Sequence, residues 1–184
     1  MVTTTRARLA LGVSGIYAAV GVLELMSDHD PEEDTLLVEG VDYALEWMFA
    51  GAVAATAVAL VTFGLVIGSR WGRVAVGAGA AGHGLLAVSA AATAASGRES
   101  LDALFGIGVI LLLAGYLSLT VLDIRRRVQP SRGAVALLMG YVAAIITDGM
   151  GIGGGFMLAA SWAAIAHLWT RAPSAVRRSE ITVS

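Results

Sequence analysis

Long stretches of this chain carry almost no charge, and that constrains its fold more than any motif. Within Leu9–Met26 the one acid is Glu24, and within Ala44–Gly68 it is Glu46. Val74–Ala95, Gly133–Thr147 and Ile152–Trp169 hold no Asp, Glu, Arg or Lys at all, and Leu101–Leu122 holds only Asp102. A helix needs about 20 predominantly apolar residues to cross a hydrocarbon core about 30 Å thick. Runs of this length, separated by short charged loops, predict an all-α integral membrane protein. Composition agrees, with 57% hydrophobic and 14% charged residues over 184 positions, where soluble domains carry about 25% charge.

Composition also closes off chemistry. With no cysteine, disulfides, thiolate metal sites and thiol catalysis are excluded. With no lysine, there is no attachment point for a Schiff-base cofactor. Arg6 and Arg8 before Leu9–Met26 could mark a secretory signal. The apolar run is longer than the 7–15 residues of a signal core, however, and no small-residue cleavage site follows, so a retained first helix is expected.

The span count turns on residues 133–169. One helix of that length would reach about 55 Å, nearly twice the hydrocarbon thickness. Asp148-Gly149-Met150-Gly151-Ile152-Gly153-Gly154-Gly155 interrupts it, since repeated glycine disfavours helix and permits turns. Six spans follow, at about 9–26, 44–68, 74–95, 101–122, 133–147 and 152–169, forming one bundle over residues 1–170 with a short tail at 171–184. With the N-terminus in the cytoplasm, eleven of twelve arginines fall inside and only Arg98 falls outside. That sorting predicts both termini cytoplasmic, in the cell membrane. The first outer loop gathers Asp28, Asp30, Glu32, Glu33, Asp34, Glu39 and Asp42.

Small residues predict the packing. Gly64-x-x-x-Gly68, Gly149-x-x-x-Gly153 and Gly151-x-x-x-Gly155 have close-approach spacing, and the third span is mostly Ala, Gly and Val. Such faces let helix backbones meet, which would put the third span, with the first and fifth, near the bundle centre. The first and fifth spans also share a spacing: Arg8, Tyr17, Glu24 and Arg132, Tyr141, Asp148. A duplicated hairpin would produce that match.

Ionisable groups inside a membrane are costly and mark candidate sites. His83 lies near the middle of the third span between Gly82 and Gly84. It can relay a proton or bind a ligand, or it can be a core histidine bonded to a hydroxyl such as Tyr17 or Tyr141. Glu24, Glu46 and Asp148 approach the outer ends of their spans, where a ring of carboxylates would suit proton or cation entry; solvated acids beside an interfacial Trp47 are the simpler alternative. The Asp28–Asp34 run has oxygen ligands but not the ordered spacing of a calcium loop, so it reads as hydrated charge, and no metal site is assigned. Asp123 before Arg126 and Arg127 reads as a helix-end ion pair. His83 and His167 differ in depth, which argues against both ligating one haem.

Gly12-Val13-Ser14-Gly15 resembles the GxSG nucleophile motif of rhomboid intramembrane proteases. The resemblance implies Ser14 as nucleophile and His83, two spans later, as its base. The chain departs from that pattern in having no helices before the serine span and no counterpart of the polar oxyanion residues. The likeness covers these few residues and assigns no family.

Taken together, these features lead to an expectation of a small multi-pass protein without catalytic residues. It would be an accessory or interaction subunit, or a minor proton or cation transport element using His83, Glu24, Glu46 and Asp148. The alternative is an intramembrane enzyme or cofactor-binding protein centred on His83, whose cofactor the sequence does not name. The expected partners are the lipid bilayer and either a second copy or another membrane subunit, with no nucleic acid.

Overall fold

The places where the helices stop follow from their terminal residues. In the computed structural model, which describes residues 2–27, 37, 40–64, 69–98, 101–125, 132–148, 150 and 153–171, six helices appear in order. They are α1 Val2–Met26, α2 Gly40–Gly64, α3 Arg70–Ser96, α4 Asp102–Ile124, α5 Gly133–Asp148 and α6 Gly155–Arg171. Ser69 caps α3 by accepting from the Gly72 amide at 3.0 Å. Gly97, in the left-handed region at φ 69°, ends it, as glycine does at many helix C-termini. Gly153 likewise has φ 88°, between α5 and α6, where the glycine cluster was expected to break the chain.

Four of these helices, α1 to α4, are long and apolar enough to cross a membrane, which marks a membrane protein. Helices α5 and α6, with 16 and 17 residues, reach about 24 and 26 Å at 1.5 Å per residue. Many large apolar side chains face outward, among them Trp71, Ile110, Ile124 and Val58. In a soluble protein that would be a liability, whereas against lipid tails it costs nothing.

The expectation of a central third helix is corrected by the arrangement. Each backbone packs against its two neighbours in chain order, and α6 returns to α1, so the six helices form a closed ring. The centre is filled by side chains instead. Neighbours run antiparallel. Arg6 lies 5.2 Å over the Trp169 ring, Ser14 donates to the Ala159 carbonyl at 2.8 Å, and Glu24 accepts from the Gly155 amide at 2.8 Å. The start of α1 therefore meets the end of α6, and its end meets α6's start.

Glycine sets the closest approaches. A Cβ on Gly82 would stand 2.6 Å from the Gly108 carbonyl oxygen and 2.6 Å from the Leu112 nitrogen. One on Gly115 would stand 2.6 Å from the Gly79 nitrogen. Helices α3 and α4 thus touch backbone to backbone, which lipid cannot imitate. A Cβ on Gly155 would stand 2.5 Å from the Gly21 nitrogen, so α1 and α6 meet in the same way. Of the expected motifs, Gly153 and Gly155 make close approaches, while Gly68, Gly149 and Gly151 lie outside the described residues. The most intimate pair, α3 with α4, uses Gly79, Gly82, Gly108 and Gly115, none of which stood in those motifs.

Asp123 has a role beyond the expected one. It is 3% exposed, and its carboxylate accepts from the backbone amides of Arg132, Ala134 and Val135 at 2.5, 2.8 and 3.3 Å. It caps the first turn of α5; Arg126 and Arg127, the expected ion-pair partners, lie outside the described residues. Glu24 does the same for α6. Both short helices therefore begin on a carboxylate borrowed from another helix, where anionic charge meets unsatisfied amides and the positive end of the dipole.

Candidate functional site: a histidine and tyrosine plug under an acidic vestibule

The middle of α3 places His83 at the ring axis, fully buried. Its Nδ1 lies 2.7 Å from the Gly79 carbonyl, one turn back in the same helix. A carbonyl only accepts, so Nδ1 carries the proton. In the neutral imidazole Nε2 then accepts, and the Tyr141 hydroxyl of α5 is hydrogen-bonded to it. The Tyr116 hydroxyl of α4 stands 3.4 Å from the same nitrogen.

Tyr141 continues the chain. Its hydroxyl is 3.3 Å from that of Tyr17 on α1, and Tyr17 is 3.2 Å from the hydroxyl of Thr56 on α2. Thr56 is also 3.0 Å from the Ala52 carbonyl. One direction runs from Tyr17 to Tyr141, to His83 and then to Gly79, each group donating to the next, while the single Thr56 proton is shared between Tyr17 and the Ala52 carbonyl. The rings reinforce it: Tyr116 and Tyr141 lie 5.2 Å apart, and His83 meets Tyr141 edge-on at 5.5 Å. Five helices contribute to this plug. Aromatic bodies fill the axis and the polar tips satisfy one another, which a dry interior demands.

Toward the end of the ring marked by Glu24, the plug is the floor of a cavity of about 170 Å³. Tyr17 and Tyr141 form the floor, Phe49, Leu86, Val109 and Leu158 belong to the walls, and Glu24 and Asp148 stand at the rim. Toward the other end the ring is filled, with Val13, Leu60 and Ile165 exposed by 1% or less.

The four residues singled out by sequence are thus divided. Glu24 and Asp148 share the vestibule, and His83 lies directly behind its tyrosine floor. Glu46 does not join them. It lines a second cavity of about 220 Å³ with Ser89, Thr93 and Asp102, so the expected ring of three carboxylates is a pair plus a separate site. Ring order accounts for its distance from Asp148, because α2 stands opposite α5; α2 does adjoin α1, but Glu46 lies with residues of α3 and α4 and not with Glu24. Tyr17 and Tyr141, the matched positions of the first and fifth spans, meet hydroxyl to hydroxyl. Tyr116 entered no sequence reading; an isolated tyrosine amid leucines offers no signal until α3 faces it.

The rhomboid-like pairing is not formed. Ser14 gives its proton to the Ala159 carbonyl, and both nitrogens of His83 are engaged elsewhere. His167 is exposed near the end of α6, on the opposite side of the ring from His83, so these two histidines do not form a pair for one haem. Among the described residues no three His, Asp or Glu side chains gather around a common metal position; the Asp28–Asp34 run lies outside the described residues.

Compared with protein-family models, curated proteins and solved structures, the chain matches none.

Proposed function

We propose that this chain is a small, non-enzymatic protein of the cell membrane that crosses it six times, with both termini cytoplasmic, and takes protons or small cations into an outward vestibule. The arginine distribution supports the orientation. The antiparallel ring supports six crossings, because α5 and α6 occupy the same layer as the four longer helices and complete it. Helices of about 24–26 Å suit a bilayer that thins locally or flanking residues that snorkel.

One observation carries the transport reading: a single cavity joins two carboxylates at the rim to a tyrosine floor hydrogen-bonded to a buried histidine. Carboxylates at a mouth concentrate cations, and a chain of hydroxyls and imidazole can hand on a proton by reversing its donors and acceptors. A second reading draws on a different fact. The chain ends on the Gly79 carbonyl, inside α3, as it would in a purely structural core, which supports an accessory membrane subunit. The enzyme and cofactor reading has less behind it, since His83 has no free nitrogen and no nucleophile beside it.

Proton and cation flux into proteoliposomes, with wild type beside Tyr141→Phe and His83→Ala, separates these readings. Transport requires flux in the wild type and its collapse in both variants. Flux no greater than that of empty liposomes would sink transport and leave the accessory role.

A further inference from the structure

The vestibule has features that neither a proton nor a metal ion requires. Its walls are almost wholly apolar, and its volume of about 170 Å³ resembles that of an engineered apolar cavity of about 150 Å³ that binds benzene. Hard divalent cations want about six to eight oxygen ligands, whereas here two carboxylates stand at the rim and one oxygen of Glu24 is committed to the Gly155 amide. An ammonium asks for far less. A carboxylate and an aromatic face satisfy it, and Phe49 and Phe105 both belong to the wall.

The seam between α4 and α5 is where a side entrance would lie. Helices α4 and α5 share the thinnest seam of the ring, and the hydrogen bonds joining them lie at the Asp123 end. At the opposite end, Phe105 of α4 and Ile145 of α5 line the cavity and are 45% and 59% exposed, so neither is packed under its neighbours there.

From this geometry we infer that the vestibule binds a small amphipathic amine, an ammonium group on a single-ring or short alkyl body, entering from the bilayer between α4 and α5. The body occupies the apolar cavity above Tyr17 and Tyr141, and the charged head rests between Glu24 and Asp148. This rests on the proposed reading in one respect, that the Glu24 end takes up cations, and it names their class.

The test is calorimetric titration of the protein in lipid nanodiscs with phenethylammonium, its neutral counterpart 2-phenylethanol, and calcium chloride, each against empty nanodiscs. Saturable binding of phenethylammonium is expected, at least about tenfold tighter than that of the alcohol, as one charge-assisted contact provides. Asp148→Asn should weaken it about tenfold by the same reasoning. Val109→Trp, which fills the cavity without touching either acid, should abolish it, and Leu113→Phe on the same wall serves if that variant does not fold. Equal affinity for the alcohol, calcium binding in place of the amine, undiminished binding in the filled cavity, or no heat beyond empty nanodiscs would each overturn the inference. Inorganic cation flux without amine binding would remove this inference and leave the transport reading standing. Amine binding without any flux would do the reverse.

Discussion

Tyr141 of α5 and His83 of α3 are hydrogen-bonded across the axis of a ring whose helix backbones never meet there. Because Nδ1 already donates to the Gly79 carbonyl, Tyr141 is the donor to a neutral His83 and must take its own incoming bond from Tyr17. The direction of the whole chain follows from that one commitment.

Tyr141→Phe should therefore break two bonds at once. Interhelical hydrogen bonds in membranes average about 0.6 kcal/mol and reach about 1.7, so a loss of about 1–2 kcal/mol is expected. Tyr116→Phe removes a 3.4 Å contact with His83 and a contact with Tyr141, neither of them in the chain that ends on Gly79, and should cost less. Unfolding in mixed micelles by increasing denaturing detergent reads both, and an equal or inverted order would contradict the assigned chain.

Asp123→Ala should destabilise more than the double variant Arg126→Ala, Arg127→Ala. The carboxylate serves three backbone amides in a buried position, and orphaning such donors costs about 1–3 kcal/mol. An exposed ion pair contributes about 0–1 kcal/mol. Asp123→Asn, which keeps one acceptor oxygen, should fall between. The same unfolding assay decides; parity between Asp123→Ala and the arginine variant would favour the ion pair.

Gly82→Ala and Gly84→Ala should differ in sign although two residues apart. A Cβ at Gly82 meets the α4 backbone at 2.6 Å, while one at Gly84 meets nothing within 4 Å. Overpacking costs about 1–3 kcal/mol, whereas relieving a helix of glycine gains roughly 0.5–1 kcal/mol. Melting temperatures of the two purified variants suffice, and a destabilised Gly84→Ala would mean a surface buried in an assembly.

Labelling tests the orientation directly, since the chain has no cysteine to give background. Thr35→Cys should react with a membrane-impermeant maleimide in intact cells, and Ser184→Cys only after lysis. Reaction of both in intact cells would mean an odd number of crossings.

Ser14→Ala should leave fluorophosphonate labelling of the purified protein at background, as in the wild type, because Ser14 is bonded to the Ala159 carbonyl and not to a base. Specific labelling of the wild type that disappears in the variant would restore the hydrolase reading.

Much of the fold was legible along the chain. Hydrophobic run length and the glycine cluster at 148–155 located all six helices, most boundaries to within about four residues but the start of α1 seven residues late, since desolvating a backbone in an apolar setting leaves helix as the local solution. The described part of α2 ends at Gly64, and residues 65–68 of the expected span lie outside the described residues. Its start reached back to Gly40, with Asp42 in the first turn where negative charge suits the helix dipole and where it accepts from Ser27 at 2.7 Å. Arg6 and Arg171 stand at one end of the ring and Glu24 and Asp148 at the other, as their distribution along the sequence implied.

Which residues face which depends on ring closure, a property no local pattern encodes. Run length and charge made this a helical membrane chain and singled out His83, Glu24 and Asp148, because burying a polar group is costly wherever it occurs. Only the tertiary structure joined Glu24 with Asp148, sent Glu46 to another cavity, turned Asp123 back onto α5, and set Tyr116 beside His83. Those outcomes depend on the rotation of each helix about its axis, which is constrained where glycine lets backbones meet, between the consecutive α3 and α4 and between α1 and α6 at the two ends of the chain.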